Sequence, residues 1–190
     1  MRNIIALSAL VVLGSLAVAQ QQTPPDAVTF GKGEAGNTNP GRANFDFEAA
    51  KWISGDSSTV RGRFNFKFEA PDRTKNFGLE LRPVMHMSVD GNSAIFEGAG
   101  KLLKRGQNGQ PIVVNGRVWV KVWDNKRPNQ QVGGAIVPDK ISVRFNVEGS
   151  ELPPREWMGA VRRGDIVVRV GPPAGGTTGG STGGTTGGGV

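Results

Sequence analysis

The sequence predicts an all-β fold, a single antiparallel β-sandwich or small β-barrel of about eight strands. Three observations predict it. From Arg42 onward apolar residues recur at every second position, the period of a strand with one face in water. Turn-forming Gly, Pro, Asp and Asn separate these runs at short intervals. Helical periodicity is nearly absent, and only Phe47–Ile53 and Glu156–Val161 leave room for a helical turn or two.

The elements follow in order. Phe45 and Phe47 alternate with Asn44, Asp46 and Glu48. The run Thr59–Glu69 is the clearest: Val60, Gly62, Phe64, Phe66 and Phe68 share one face, while Arg61, Arg63, Asn65, Lys67 and Glu69 share the other. Ala70-Pro71-Asp72 breaks it. Phe77, Leu79 and Leu81 form a short strand that stops before Pro83. Met85, Met87 and Val89 form another, which Asp90-Gly91-Asn92 turns back into Ala94, Phe96, Gly98, Gly100 and Leu102. A polar turn over Arg105–Gln110 leads into the long strand Ile112–Trp123, and a polar loop over Asp124–Gln131 follows. Ile141, Val143, Phe145 and Val147 alternate with polar residues. After Pro153-Pro154, the residues Ile166, Val168 and Val170 make the last strand.

Outside this region the chain changes character. Residues 1–19 read as an export signal: Arg2, an apolar run from Ile4 to Leu16, and small residues at Ala17-Val18-Ala19. The apolar run is shorter than the ~20 residues that span a bilayer, so no membrane span is expected after cleavage. Residues 20–41 form a polar leader with a brief apolar touch at Val28 and Phe30, enough for one edge strand. Residues 42–170 make the β-domain. Residues 171–190 repeat Gly-Gly-Thr-Thr and Gly-Gly-Ser-Thr units without apolar side chains, a composition that predicts a disordered tail.

Composition narrows the chemistry. There is no cysteine, which excludes disulfides, thiol catalysis and cysteine-ligated metals. The net charge is +7, and loss of Arg2 with the signal leaves 7 − 1 = +6. That balance favours anionic partners, such as acidic polysaccharide, teichoic-type polymer, lipid headgroups or extracellular DNA, or serves ordinary solubility, and the cations are spread along the chain instead of forming a run. His86 is the only histidine, and no Gly-x-Ser-x-Gly elbow accompanies it. Glu69, Asp72, Glu80 and Glu97 are candidate carboxylates for glycoside chemistry, but each lies near bases or a turn and nothing selects a pair. Asp90, Asp124, Asp139 and Asp165 sit at strand ends without a calcium-loop spacing. Gly31-Lys32-Gly33-Glu34-Ala35-Gly36 fits Gly-x-Gly-x-x-Gly but lacks the strand-then-helix setting. No catalytic residue, metal site or cofactor is expected.

Five segments stand out: Gly62-Arg63-Phe64-Asn65-Phe66, the hairpin Gly91 to Gly100, the strand Val118–Trp123 ending in Asp124-Asn125, and the closing segments Asp139–Val143 and Gly164–Val168. On these the segment Phe45–Val170 resembles the bacterial secreted post-COAP β-domain family. The chain departs from the family at Lys126, where the family has glycine, and in its proline-bearing loop from Glu148 to Arg163. The resemblance implies an extracellular all-β module and no catalytic residue.

The most suggestive constellation is Arg117, Trp119, Lys121 and Trp123, which share one face of a strand while Val118, Val120 and Val122 take the other. Rings interleaved with cations can stack on sugars while the cations meet anionic groups. The same tryptophans also suit a core, or a place under the Glu148–Arg163 loop with Trp157. The sequence therefore predicts a non-enzymatic exported module, secreted, periplasmic or on the cell surface. It would bind an anionic envelope polymer or an envelope protein, and not extracellular nucleic acid. The alternative is a lipocalin-like carrier of a small apolar ligand.

Overall fold

The alternation becomes nine strands in a computed structural model that describes residues 23–37, 41–106, 108–126, 137–150 and 154–171. They are β1 (Ala27–Gly36), β2 (Arg42–Ser54), β3 (Ser57–Glu69), β4 (Phe77–Leu81), β5 (His86–Asp90), β6 (Ser93–Arg105), β7 (Pro111–Trp123), β8 (Lys140–Val147) and β9 (Arg155–Val170), with one 3-10 turn at Arg73–Lys75. The expected signal segment and Gly/Thr tail lie outside the described residues, apart from Gly171.

Every pairing is antiparallel, and the sheet closes on itself. The order runs β4-β3-β2-β1-β9-β8-β7-β6, and β4 also pairs with β6. The fold is thus an up-and-down barrel and not a sandwich. β4 and β5 share one edge of β6, at Gly100–Lys104 and at Ser93–Glu97 respectively. Pro83, which has no N–H to give a ladder, lies in the break between them.

Two expectations need correction. The β-domain begins at Ala27, not at Arg42: the supposed leader contains β1, which is no edge strand but the seam between β2 and β9. The two stretches left open as helical turns are strand. Phe47–Ile53 lies in β2, and Glu156–Val161 opens β9, which starts at Arg155 and not at Ile166.

The inner face is packed with rings and branched side chains. Phe47, Phe64 and Phe96 meet at its centre, with ring centroids 5.4 Å (Phe47–Phe96), 6.0 Å (Phe64–Phe96) and 6.4 Å (Phe47–Phe64) apart. Val118, Val120, Val122, Ile141, Val143, Ile166 and Val168 are buried around them. Each large side chain so placed contributes roughly 1.5–3 kcal/mol. Trp157 points inward as well, 5.1 Å from Phe66, at the end of the barrel where Phe68 and Phe77 lie. β1 presents only Ala27, Thr29, Gly31, Gly33 and Ala35 to this interior. A Cβ on Gly31 would fall 2.7 Å from the Phe47 ring, so the glycine there makes room for the aromatic centre.

Candidate functional site

The valine face of β7 is the core face. Val118, Val120 and Val122 are fully buried, which sends Arg117, Trp119, Lys121 and Trp123 to the outer wall. Arg117 is exposed, and the other three are half-buried. Trp157 does not cover them: it lies inside the barrel, against Phe66.

Register decides what surrounds the four. Trp119 stands opposite Glu97 of β6 and Arg144 of β8, and Trp123 opposite Ser93 and Lys140. With His86 opposite Glu97 and Glu156 opposite Arg144, a cross-strand row runs His86, Glu97, Trp119, Arg144, Glu156. Arg117 Nη2 contacts Glu97 Oε1 at 2.8 Å, and Arg144 Nε contacts Glu156 Oε1 at 3.3 Å. The Lys121 ammonium lies 4.9 Å from the centroid of the Trp123 ring, within cation–π range. The predicted residues therefore share one surface, to which Lys140 and Arg144 add two more cations. The outward parity of Lys140 and Arg144 is readable from the sequence; their place beside the tryptophans is not, because it depends on the β7–β8 register.

Three of the four candidate acids, Glu69, Asp72 and Glu97, are held by local partners. Hydrogen bonds from Lys67 and then Arg42, with the nearby Lys67 charge, hold the Glu69 carboxyl below its usual range. Asp72 is lowered by the Thr74 hydroxyl and backbone N–H, which it accepts as cap of the 3-10 turn. Glu97 belongs to Arg117, as above. The Gly-x-Gly-x-x-Gly segment is β1, a strand throughout. A groove of about 1020 Å³ is bordered by Lys32, Asp46, Asn65 and Glu80, which alternate outward on β1–β4, so it lies against the outer wall.

Three of the strand-end aspartates, Asp124, Asp139 and Asp165, form a tie between strands. β8 ends its pairing with β9 at Lys140 opposite Ala160, so the later part of β9 has no β8 partner. Asp139, fully buried, meets that edge: its carboxylate accepts from Ile166 N (3.2 Å), Asn125 N (2.9 Å) and Lys126 N (3.2 Å). Asp124 accepts from Val168 N at 3.2 Å. Asn92 reaches the same corner, donating to Asp124 O and Asn125 Oδ1. Lys126 Nζ sits 3.3 Å from Asp139, 3.2 Å from Asp165 and 2.9 Å from Gly164 O. Asn92, Asp124, Asn125, Asp139 and Asp165 thus meet at one corner, and Lys126 puts its ammonium among them.

Burial acts to lower the Lys126 pKa, but the hydrogen bond to Asp165 and the charge and hydrogen bond of Asp139 outweigh it and raise the pKa above the ordinary lysine value. The stability this linkage contributes is fully present below about 10.4, the unfolded lysine value, and is lost as pH rises through the higher folded value. Lys126→Met is expected to melt lower than the parent at pH 9 and to lose less than the parent between pH 9 and the strongly alkaline range. Melting curves across that range check it; equal alkaline losses in the two proteins would contradict it.

No protein-family model, no curated protein and no solved structure matches the chain. Among the described residues, no helix is long and apolar enough to cross a membrane.

Proposed function

We propose that this chain is an exported, non-enzymatic barrel module that binds an anionic envelope polymer across the outer wall of β6, β7 and β8. The observation that carries the reading is the outward placement of Trp119 and Trp123 with Arg117, Lys121, Lys140 and Arg144 around them. Indole faces stack on sugar rings, and adjacent cations meet carboxylate or phosphate groups. The signal-like residues 1–19 and the post-COAP resemblance support export and a surface or matrix role. An envelope protein is the second class of partner that such a wall suits. The carrier alternative needs interior space, and the rings of Phe47, Phe64 and Phe96 occupy the centre of the barrel.

Co-sedimentation with insoluble polyuronate, beside an uncharged glucan, tests the reading. The parent is expected to bind the polyuronate, and Trp119→Ala/Trp123→Ala to bind about tenfold or more weakly at unchanged stability, since each lost stacking or cation–π contact is worth ~0.5–1.5 kcal/mol. Equal binding by both proteins would reduce the interaction to diffuse charge. Binding to the glucan as well would remove the anionic requirement.

A further inference from the structure

The β2–β3 hairpin outruns the barrel. β4 joins β3 only along Phe64–Phe68, so Ser57–Arg61 at the far end pair with β2 alone. Along β2, the parity that buries Phe45, Phe47 and Ala49 reaches Lys51 next. Along β3 it runs from Phe66 and Phe64 through Gly62 to Val60 and Ser58. Lys51 and Val60 are only half-buried and Ser58 is exposed, so the inner face of the hairpin leaves the core at this point. It overhangs the outer face of β5, β6 and β7 instead. A cleft of about 240 Å³ lies between them, with Lys51, Ser58 and Val60 on the hairpin side and His86, Ser88 and Trp119 on the wall side. Register assembles the wall side: His86 stands opposite Glu97, and Glu97 opposite Trp119. Val84 N donates to Gly62 O at 3.4 Å and ties the hairpin to the segment that leads into β5.

Size, charge and surface chemistry together select an occupant. The volume falls below the ~300–1,000 Å³ of sites for drug-sized ligands and suits a single small ring. Lys51 has no carboxylate within ion-pair distance among the described residues. The one acid on the lining, Glu97, is held by Arg117 at 2.8 Å, which offsets its charge. The cleft therefore complements one negative group. The hydroxyls of Ser58 and Ser88 and the imidazole of His86 offer hydrogen-bond donors and acceptors, and Trp119 offers an apolar ring face. A carboxylate, several hydroxyls and one apolar ring face occur together in an acidic sugar.

We infer that this cleft holds one acidic sugar ring, its face on Trp119 and its carboxylate against Lys51, and that it sets the acid requirement of the polymer-binding wall. The inference rests on the polymer reading, to which it adds the unit recognised and the residue that selects it. Trp119 belongs to both surfaces, so a sugar seated in the cleft is continuous with a chain lying along β6, β7 and β8.

The test titrates the full chain with methyl glucuronoside and with methyl glucoside, which differ only in a carboxylate or a hydroxymethyl group on the same ring, and follows amide and indole NMR signals. The glucuronoside is expected to shift the Trp119 indole and the Ser58 and Ser88 amides. It should bind about tenfold or more tightly than the glucoside, since hydrogen bonds between ionised groups are the stronger class. Lys51→Met should abolish that preference, and Lys51→Arg should keep most of it, which separates loss of charge from damage to the hairpin. In co-sedimentation with polyuronate, Lys51→Met should also bind about tenfold more weakly than the parent. Shifts confined to residues outside the cleft, or a preference that survives Lys51→Met, would overturn the inference. Polyuronate retained by the parent in either case would leave the polymer reading standing. Glucuronoside bound in the cleft by a parent that does not sediment with polyuronate would overturn the polymer reading, and with it the cleft's role in the wall, leaving a free acidic sugar as the occupant.

Discussion

Asp139→Ala is expected to lower the unfolding free energy by about 3–5 kcal/mol, the range for breaking a buried charged hydrogen-bonded group. The size follows from what the side chain holds. Its two oxygens take the N–H groups of Asn125, Lys126 and Ile166 and balance the Lys126 ammonium, all at a residue with no exposed surface. Removal strands those donors, and each buried unsatisfied group costs ~1–3 kcal/mol. Asp139→Asn keeps one carbonyl oxygen as acceptor and should lose less. Urea unfolding of the three proteins measures the ordering. An alanine variant as stable as the parent would show that the later part of β9 does not depend on this carboxylate.

Phe96→Ala should cost a comparable ~3–5 kcal/mol by a different mechanism, loss of apolar contact plus the cavity left behind. Phe96 is fully buried, and its ring meets both Phe47 and Phe64. Neighbouring β-strands cannot collapse inward to fill the space, because their spacing is set by ladder hydrogen bonds on both sides. Phe96→Leu retains most of the volume and should cost less than half as much. The same urea series resolves the two variants. Equal losses for leucine and alanine would mean that the ring, and not its volume, carries the contribution.

The aromatic centre was legible in the sequence, and the seam of the barrel was not. Phe64, Phe66 and Phe68 alternate with charged and amide residues, so their shared face needs no tertiary knowledge. β1 hides because its inward residues are Ala, Thr and Gly, too small to mark a core face; at Gly31 the Phe47 ring takes the place of a side chain. Glu156–Val161 hides for a related reason: its inward positions are Trp157, Gly159 and Val161, and the place of a Gly159 side chain is taken by the Trp157 ring itself. Barrel or sandwich turns on two pairings, β1 with β9 and β4 with β6, that no local pattern encodes. The outer wall shows the same division. The common face of Trp119 and Trp123 follows from parity, whereas Glu97, Arg144 and His86 join it only through register across three hairpins and loops.

The pairing of β1 with β9 sets Ala27 against Val170, and Gly171 N donates to Asp26 O at 2.7 Å just beyond. First and last strands are each other's neighbours, so a ring missing its last member leaves one edge of β1 and one of β8 unpaired. A chain emerging N-terminus first can zip hairpins as it appears, but β1 waits with one edge open until residues 155–170 arrive. The loop that this final step closes is the longest in the molecule, and non-local pairing of that kind slows folding. Closure therefore comes last, and until then the growing polypeptide stays threadable.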